Sequence, residues 1–309
     1  MSTIVANDQP DLATDIWTLR FKRFRQHRSG MGSLIVLVLL VLFSLAAFPL
    51  EHVFGLDPTT TDLFARFEGP SWGHFLGKDE AGRDVLIRLM IGGQVSLLIG
   101  ILATVIGGII GVMVGVCAGY YGGRLDDFLM RCTDSMIALP LLPLLVVLGA
   151  VDLTKLGASE EFAQSPTAGF IRIVVIISIV DWTSIARLVR AATLQIRGRD
   201  YVNAASAAGA GAPYIIGTHI LPNIATPIIV SCTLTVGRVI LFESVLSFLG
   251  FGVVPPTPSW GNMLNNAQEL VSSSPALAIF PGLLIFVTVI AVNFLGDGLQ
   301  HAFDPKSTN

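Results

Sequence analysis

Arg199-Asp200-Tyr201-Val202-Asn203-Ala204-Ala205-Ser206-Ala207-Ala208-Gly209, continuing to His219-Ile220-Leu221-Pro222-Asn223, lies between two apolar runs of membrane-spanning length. The pattern predicts two short helices broken at residues 209–212. Asp200 is suited to cap the first, and the alanines that follow favour helix. Pro213 suits the first position of the second. The Ala/Gly cluster makes a smooth surface against which another protein packs closely. An ordinary helical loop is the alternative that composition alone leaves open.

The flanking sequence sets the context. The chain has 309 residues, of which 52% are hydrophobic and 13% charged, and its mean hydropathy is +0.71. A soluble chain carries about a quarter charged residues. A soluble domain of this size could not hide so much apolar side chain, so the chain reads as an integral membrane protein. The net charge of -3 carries little information, and no block of like charge is long enough to act as a nucleic-acid tail. Cys117, Cys132 and Cys232 lie in or beside apolar runs without metal-ligand spacing and read as small packing residues.

A helix needs about 20 apolar residues to cross the hydrocarbon. Six segments qualify: 31–50, 95–117, 134–151, 169–189, 224–246 and 276–295. The predicted fold class is therefore an all-α integral membrane protein with six transmembrane helices. In the second segment Gly107, Gly111 and Gly115 recur at four-residue spacing, the mark of a packed helix face. Ser44-Leu45-Ala46 has the form of a signal-peptidase site, but the polar stretch before it is long and the apolar run is of spanning length, which favours a retained helix.

Lys and Arg set the orientation. Arg20, Lys22, Arg23, Arg25 and Arg28 precede the first span; Arg124 follows the second; Arg131 edges the third; and Arg187, Arg190, Arg197 and Arg199 follow the fourth. With six spans all of these fall on one side, whereas residues 250–275 contain no Lys or Arg. Both termini and the 199–223 loop are expected in the cytoplasm. Arg66, Lys78, Arg83 and Arg88 lie on the outer side, interleaved with Asp62, Glu68, Asp79, Glu80 and Asp84.

Two outer segments stand out. After residues 74–84, Val85, Leu86, Leu89 and Met90 have helical spacing, which predicts an amphipathic helix on the outer surface ahead of the second span. Residues 250–261 are rich in Gly and Pro and form a stiff, turn-rich segment in which Trp260 is a candidate interfacial anchor. Most residues of both segments read as structural plugs between helices.

Asp134, Asp181, Arg238 and Glu243 fall within or at the ends of spans, where a charge is costly and usually faces a bundle interior or a water-filled path. Asp181 and Arg238 sit at matching depth in the fourth and fifth spans, so they either pair with each other or meet backbone carbonyls separately. There is no G-x-x-x-x-G-K-[ST] phosphate loop, no G-x-S-x-G, no H-E-x-x-H and no Cys/His cluster, and the five histidines are scattered. The chain offers no catalytic site, no metal ligand set and no cofactor site, and an enzyme is not expected.

Several blocks together resemble the permease subunits of bacterial ATP-binding-cassette importers, in particular the C-type subunit of dipeptide/oligopeptide permeases. Asn203-Ala204-Ala205 with Gly209, and His219-Ile220-Leu221-Pro222-Asn223, resemble that family's E-A-A-x-x-x-G cytoplasmic motif and its H-I-L-P-N end. Residues 76–84 (LGKDEAGRD), 118–123 (AGYYGG), 246–252 (LSFLGFG) running to Pro258-Ser259-Trp260-Gly261-Asn262, and 293–299 (NFLGDGL) followed by Asp304-Pro305 resemble features of peptide permeases more narrowly. Two positions depart: the motif's Glu is Asn203 here, and mid-span Arg238 lies outside the family pattern.

The resemblance implies a type I importer permease fold. It divides the chain into a cytoplasmic segment 1–30, a first span with its outer loop 31–93, a permease core 94–298 and a cytoplasmic tail 299–309. It further implies an inner-membrane location, a second permease subunit as partner, two cytoplasmic ATP-binding subunits that hydrolyse the ATP, and a periplasmic or lipid-anchored solute-binding protein. Arg199, Asn203, Ala204, Ala205, Gly209, His219 and Pro222 would then couple the ATPases to the spans. The implied substrates are di- and oligopeptides, though members of such families also carry nickel complexes or glutathione. A stand-alone channel or secondary transporter is the competing reading; it would need no ATPases and no Asn203–Gly209 surface.

Overall fold

The computed structural model describes residues 16–54, 57–265 and 274–303. Residues 1–15 of the amino-terminal segment, residues 266–273 of the loop before the last span, and Asp304-Pro305 with the rest of the tail lie outside the described residues. The elements run α1 (Ile16–Gln26), α2 (Arg28–Leu45), α3 (Ala47–Phe54), α4 (Val85–Tyr121), α5 (Gly123–Ala138), α6 (Leu141–Gly149), α7 (Glu160–Ala163), α8 (Pro166–Arg197), α9 (Asp200–Ala207), α10 (Ala212–Tyr214), α11 (Leu221–Phe248) and α12 (Ala276–Phe303). A π turn, Ile215–Ile220, joins α10 to α11. In lipid every backbone polar group must be bonded within the segment, and helices meet that requirement.

Among the described residues, five stretches are long and apolar enough to cross a membrane: Arg28–Glu51, Val85–Tyr121, Pro166–Arg197, Ala212–Phe248 and Ala276–Phe303. A sixth exists only if α5 and α6 are taken together, and these are bent by 86°. The segment expected to run straight through 134–151 is thus broken, and its helical part starts earlier, at Gly123. Pro140 causes the break. Its ring disfavours helix at the residue before it, and Leu139 is extended at φ -78, ψ 136.

The bundle is built around α4 and α8, which make its most extensive helix–helix contact. The glycine stripe explains the closeness. A Cβ at Gly115 would lie 2.5 Å from the Ala186 carbonyl oxygen and 2.7 Å from Val189 Cβ, and one at Gly111 would lie 2.7 Å from the Trp182 carbonyl oxygen. Gly119 extends the stripe against Thr193. Gly115→Ala is expected to destabilise the protein by about 1–3 kcal/mol, the usual cost of forcing atoms into a filled interface. Thermal unfolding in detergent checks this; an unchanged midpoint would contradict the packing account.

The first span is tied into the same bundle. Ser44 is buried, and its carbonyl accepts from Gln94 Nε2 of α4 at 2.7 Å. Among the described residues, the turn after Asp84 is not a separate surface helix. Val85, Ile87 and Leu89 are buried and begin α4 itself, capped by the Asp84 carboxylate, which accepts from the Ile87 N–H at 2.9 Å. Apolar residues on several sides of this turn find partners in the bundle, so it continues inward as one helix of 37 residues instead of lying flat.

The segment before α4 pairs many of its own charges. Asp79 accepts from the N–H groups of Ala81 and Arg83 and pairs with Arg83 Nε at 2.8 Å; His74 pairs with Asp84 at 2.8 Å; Lys78 approaches Glu68 at 3.5 Å. Glu80 is held above the ordinary carboxylate range by burial and by the neighbouring Asp79 charge. The hydroxyls of Thr59 and Thr60 hold Asp57 down at about 2.

The 250–261 segment folds back into the bundle. Trp260, expected as an interfacial anchor, is fully buried: its Nε1–H donates to the Leu89 carbonyl at 2.8 Å, and Gly92 and Gly93 leave the room its ring occupies. Asn262 pins the segment from behind, donating to the carbonyls of Val253 and Thr257 and accepting from the Ser259 N–H. A bonded indole N–H removes the polar end that would otherwise seek the interface.

Candidate functional site

The 199–223 loop starts where α8 ends at Gly198. Arg199, in extended conformation, is the residue that precedes α9, so the cap position falls one residue earlier than Asp200; Asp200 instead sits in the first turn, where its charge favours the helix dipole. Alpha-9 ends in a paired turn: the Gly209 N–H donates to the Ser206 carbonyl at 3.0 Å and the Ala210 N–H to the Ala205 carbonyl at 3.1 Å. This closure requires a left-handed residue after the helix, and Gly209 has φ +88.

Three buried side chains hold the loop to the bundle. Val202, Ile215 and Ile220 pack with Val116, Ile185, Val189 and Ile224. With Val202 turned inward, Asn203, Ala204, Ala207, Ala208 and Gly209 are exposed and Ala205 is half-buried. The result is a rigid outer face almost without side-chain relief. The second helical piece does not stop before the fifth span, as the sequence suggested, but runs into it as one helical stretch, Ala212–Phe248. Pro222 has no N–H to donate, and just ahead of it the Leu221 N–H bonds five residues back to Ile216. The ladder therefore widens into a π turn instead of breaking. His219 lies in that turn, with its ring 5.7 Å from Tyr214 and 6.0 Å from Tyr201, and its carbonyl accepts from Asn223 Nδ2 at 2.7 Å. Arg199, Asn203, Ala204, Ala205, Gly209, His219 and Pro222 thus sit on one short structure joining the ends of α8 and α11.

The four intramembrane candidates divide. Asp181 and Arg238 come together, with Arg238 Nη2 3.1 Å from Asp181 Oδ1. The Asp181 side chain is 9% exposed and that of Arg238 41%. Ser184 follows Asp181 by three residues and Leu234 precedes Arg238 by four, so each shares a helix face with its charged neighbour. Both line a cleft of about 540 Å³ between α8, α11 and α12, which also takes Thr226, Ser231 and Gln300.

Glu243 is elsewhere and fully buried, with Ser96 Oγ donating to it at 3.0 Å and Ser247 Oγ at 2.7 Å. Ser96 also accepts from the Trp260 N–H at 3.2 Å, so this carboxyl group ties α4, α11 and the 250–261 segment together. Glu243→Leu strands those hydroxyls, each at a cost of about 1–3 kcal/mol. A large drop in the unfolding midpoint, much reduced in Glu243→Gln, is expected; equal midpoints for the two variants would argue against the network.

Asp134 is not buried. It is 57% exposed and pairs with Arg187 at 2.5 Å. A second pair went unnoticed in the sequence: Arg190 forks onto both oxygens of Asp126, at 2.5 and 2.6 Å. The spacing held the clue. Asp126 and Asp134 are eight apart on α5, Arg187 and Arg190 three apart on α8, so each set shares a helix face.

An all-helical bundle of apolar spans, with a rigid helical loop presented between two of them and an ion pair joining α8 to α11, has the form of a multi-pass membrane protein. Residues 111–309 match the family described as binding-protein-dependent transport system inner membrane component, and residues 16–70 match the N-terminal transmembrane domain of oligopeptide transport permease C; the chain belongs to this permease family. It is a multi-pass protein of the inner membrane. Among its relatives is the oligopeptide transport system permease protein OppC of Escherichia coli K12, 38% identical over 94% of this chain and 91% of the relative. The glutathione transport system permease protein GsiD of Shigella boydii is 36% identical over 96% of this chain and 93% of the relative.

Proposed function

We propose that this chain is one of two permease subunits that together form a path for di- and oligopeptides, driven by two cytoplasmic ATP-hydrolysing subunits and supplied by a periplasmic or lipid-anchored binding protein. The observation that carries this reading is the exposed small-residue face of Asn203–Gly209, held rigidly to the ends of α8 and α11 by Val202, Ile215 and Ile220. A face of that kind suits close docking, and its rigid attachment suits force transmission. The similarity to OppC supports peptides as substrates, and the similarity to GsiD supports glutathione, itself a small peptide, as the second reading.

The mechanism follows from the attachment. ATP binding closes the two ATPases; the loop, seated on one of them, moves with it. Because α8 leads into the loop and α10, the π turn and α11 form one helical stretch, both spans tilt together and switch the path from inward-open to outward-open. Hydrolysis resets them. This requires both termini and the loop to face the cytoplasm, which the Lys/Arg distribution supports. Asn203 presents an amide where the family motif has a carboxylate, so it brings hydrogen-bonding capacity but no charge to the docking face. The test is uptake by a strain lacking its own peptide permeases and supplied with this importer. Accumulation of labelled tripeptide that stops when ATP is depleted is expected; ATP-independent accumulation would overturn the proposal, and uptake of glutathione alone would favour the second reading.

A further inference from the structure

Pro227, Ser231, Leu234, Arg238 and Leu241 recur on α11 at spacings of three and four residues, which places them on one face. Each is half-buried or exposed, whereas Gly237, Val239 and Ile240 beside them are buried. Asp181, Ser184 and Leu188 share a face of α8 in the same way. The cleft of about 540 Å³ takes Pro227, Ser231 and Leu234 from the first face, Ser184 and Leu188 from the second and Gln300 from α12. Among the described residues, its lining holds no charge. The Asp181–Arg238 pair follows about one turn further from the 199–223 loop on both helices.

The pair does not exhaust Arg238. Its Nη2 meets the two Asp181 oxygens at 3.1 and 3.2 Å, and the same nitrogen donates to Thr235 Oγ1 at 3.3 Å. Among the described residues, Nε makes no hydrogen bond, and Asp181 is the one acid within ion-pair distance of the guanidinium. The Arg238 side chain is 41% exposed against 9% for Asp181, so the pair shows its cationic half to the space beside it. A charge held at that depth usually faces a bundle interior or a water-filled path.

We propose, resting on the reading that the chain carries peptides, that Arg238 receives the C-terminal carboxylate of the peptide in transit and makes the path selective for a free terminal acid. Chemistry narrows the choice. A path that passes peptides of varied sequence can rely only on what all of them share: backbone, terminal ammonium and terminal carboxylate. A guanidinium has donors and no acceptor, so it repels the ammonium and matches the carboxylate in a forked geometry. Asp181 holds the guanidinium in place and offsets its charge, which keeps the attraction local and lets the substrate leave again. Ser184, Ser231 and Gln300 offer hydrogen bonds to the peptide backbone along the cleft.

Proteoliposomes holding the whole importer, with ATP supplied to the ATPases, test this. Uptake of labelled trialanine is compared with uptake of its C-terminal amide, each at a concentration that saturates the binding protein. The comparison is made in the wild type and in Asp181→Asn with Arg238→Gln, which removes both charges and leaves neither unpaired. The binding protein's own preference is common to both chains and cancels when their acid-to-amide ratios are compared. The ratio is expected to fall about tenfold in the double variant, the weight of one hydrogen bond to a charged group. Arg238→Lys keeps the charge without the fork and serves where the neutral pair fails to insert; there the ratio should fall roughly threefold. A ratio equal to the wild type's in the variant that inserts, with both peptides slowed alike, would overturn the proposal and turn the guanidinium toward an acid of another subunit. Absence of ATP-driven trialanine uptake by the wild type would overturn the peptide reading itself, and the proposal with it.

Discussion

Gly209→Val is expected to abolish substrate-stimulated ATP hydrolysis while the protein still inserts and folds. The backbone at Gly209 has φ +88, and a Cβ built there meets nothing within 4 Å. Space is therefore not the obstacle; conformation is. A left-handed backbone costs an ordinary L-residue about 1–2 kcal/mol and a β-branched one more. The chain would escape that strain by opening the turn, losing the bonds from the Gly209 and Ala210 N–H groups to Ser206 and Ala205. The outer face of α9 would then no longer stand in a fixed relation to α11, although Val202, Ile215 and Ile220 would keep the loop attached. ATPase assays of the reconstituted importer, with and without substrate-loaded binding protein, should show stimulation reduced more than about tenfold. Gly209→Asn, which tolerates the left-handed region, should retain much of it. Normal stimulation in the Val variant would remove Gly209 from the coupling role.

Asp181→Arg is expected to reduce uptake at least as severely, and Arg238→Asp in the same chain to restore much of it. The single change sets two like charges against each other where an ion pair of 3.1 Å now stands at mid-span. Removing one partner of a buried pair costs about 3–5 kcal/mol, and the partial exposure of Arg238 places this site toward the lower end. The exposure is itself informative. A charge in the middle of a span usually faces a bundle interior or a water-filled path, and about one turn along α8 and α11 from the pair is a cleft lined by Ser184, Thr226, Ser231 and Gln300. Measured uptake rates and membrane abundance for the two single variants and the swap decide it. A swapped protein as inactive as the single variants, at equal abundance, would mean that each charge acts separately, with Arg238 meeting something other than Asp181.

The sequence announced what depends on local chemistry. Apolar length predicts six spans, five of which are single helices long enough to cross a membrane, and four-residue glycine spacing predicts the close contact of α4 with α8, because small residues serve that purpose whatever surrounds them. The turn at Gly209 was legible for the same reason. What was not legible depended on partners distant in sequence. Trp260 is interfacial or buried according to whether a carbonyl such as that of Leu89 waits inside, and 171 residues separate the two. Val85 and Leu89 have the spacing of a surface helix, and only the buried environment against Trp260 and Ile285 makes them the start of a span. The break at Leu139–Pro140 was visible in principle, since proline restricts its predecessor, but the apolar run through 151 masked it. Asp134 sits in that same run, and its ion pair with Arg187 on an exposed face joins residues 53 apart in sequence.

The most direct test of the permease assignment is to pull the tagged protein from its native membrane in mild detergent and identify what accompanies it by mass spectrometry. Recovery of a second permease and two ATP-binding subunits is the expected result. Recovery of the chain alone, still moving solute into liposomes without ATP, would contradict the account.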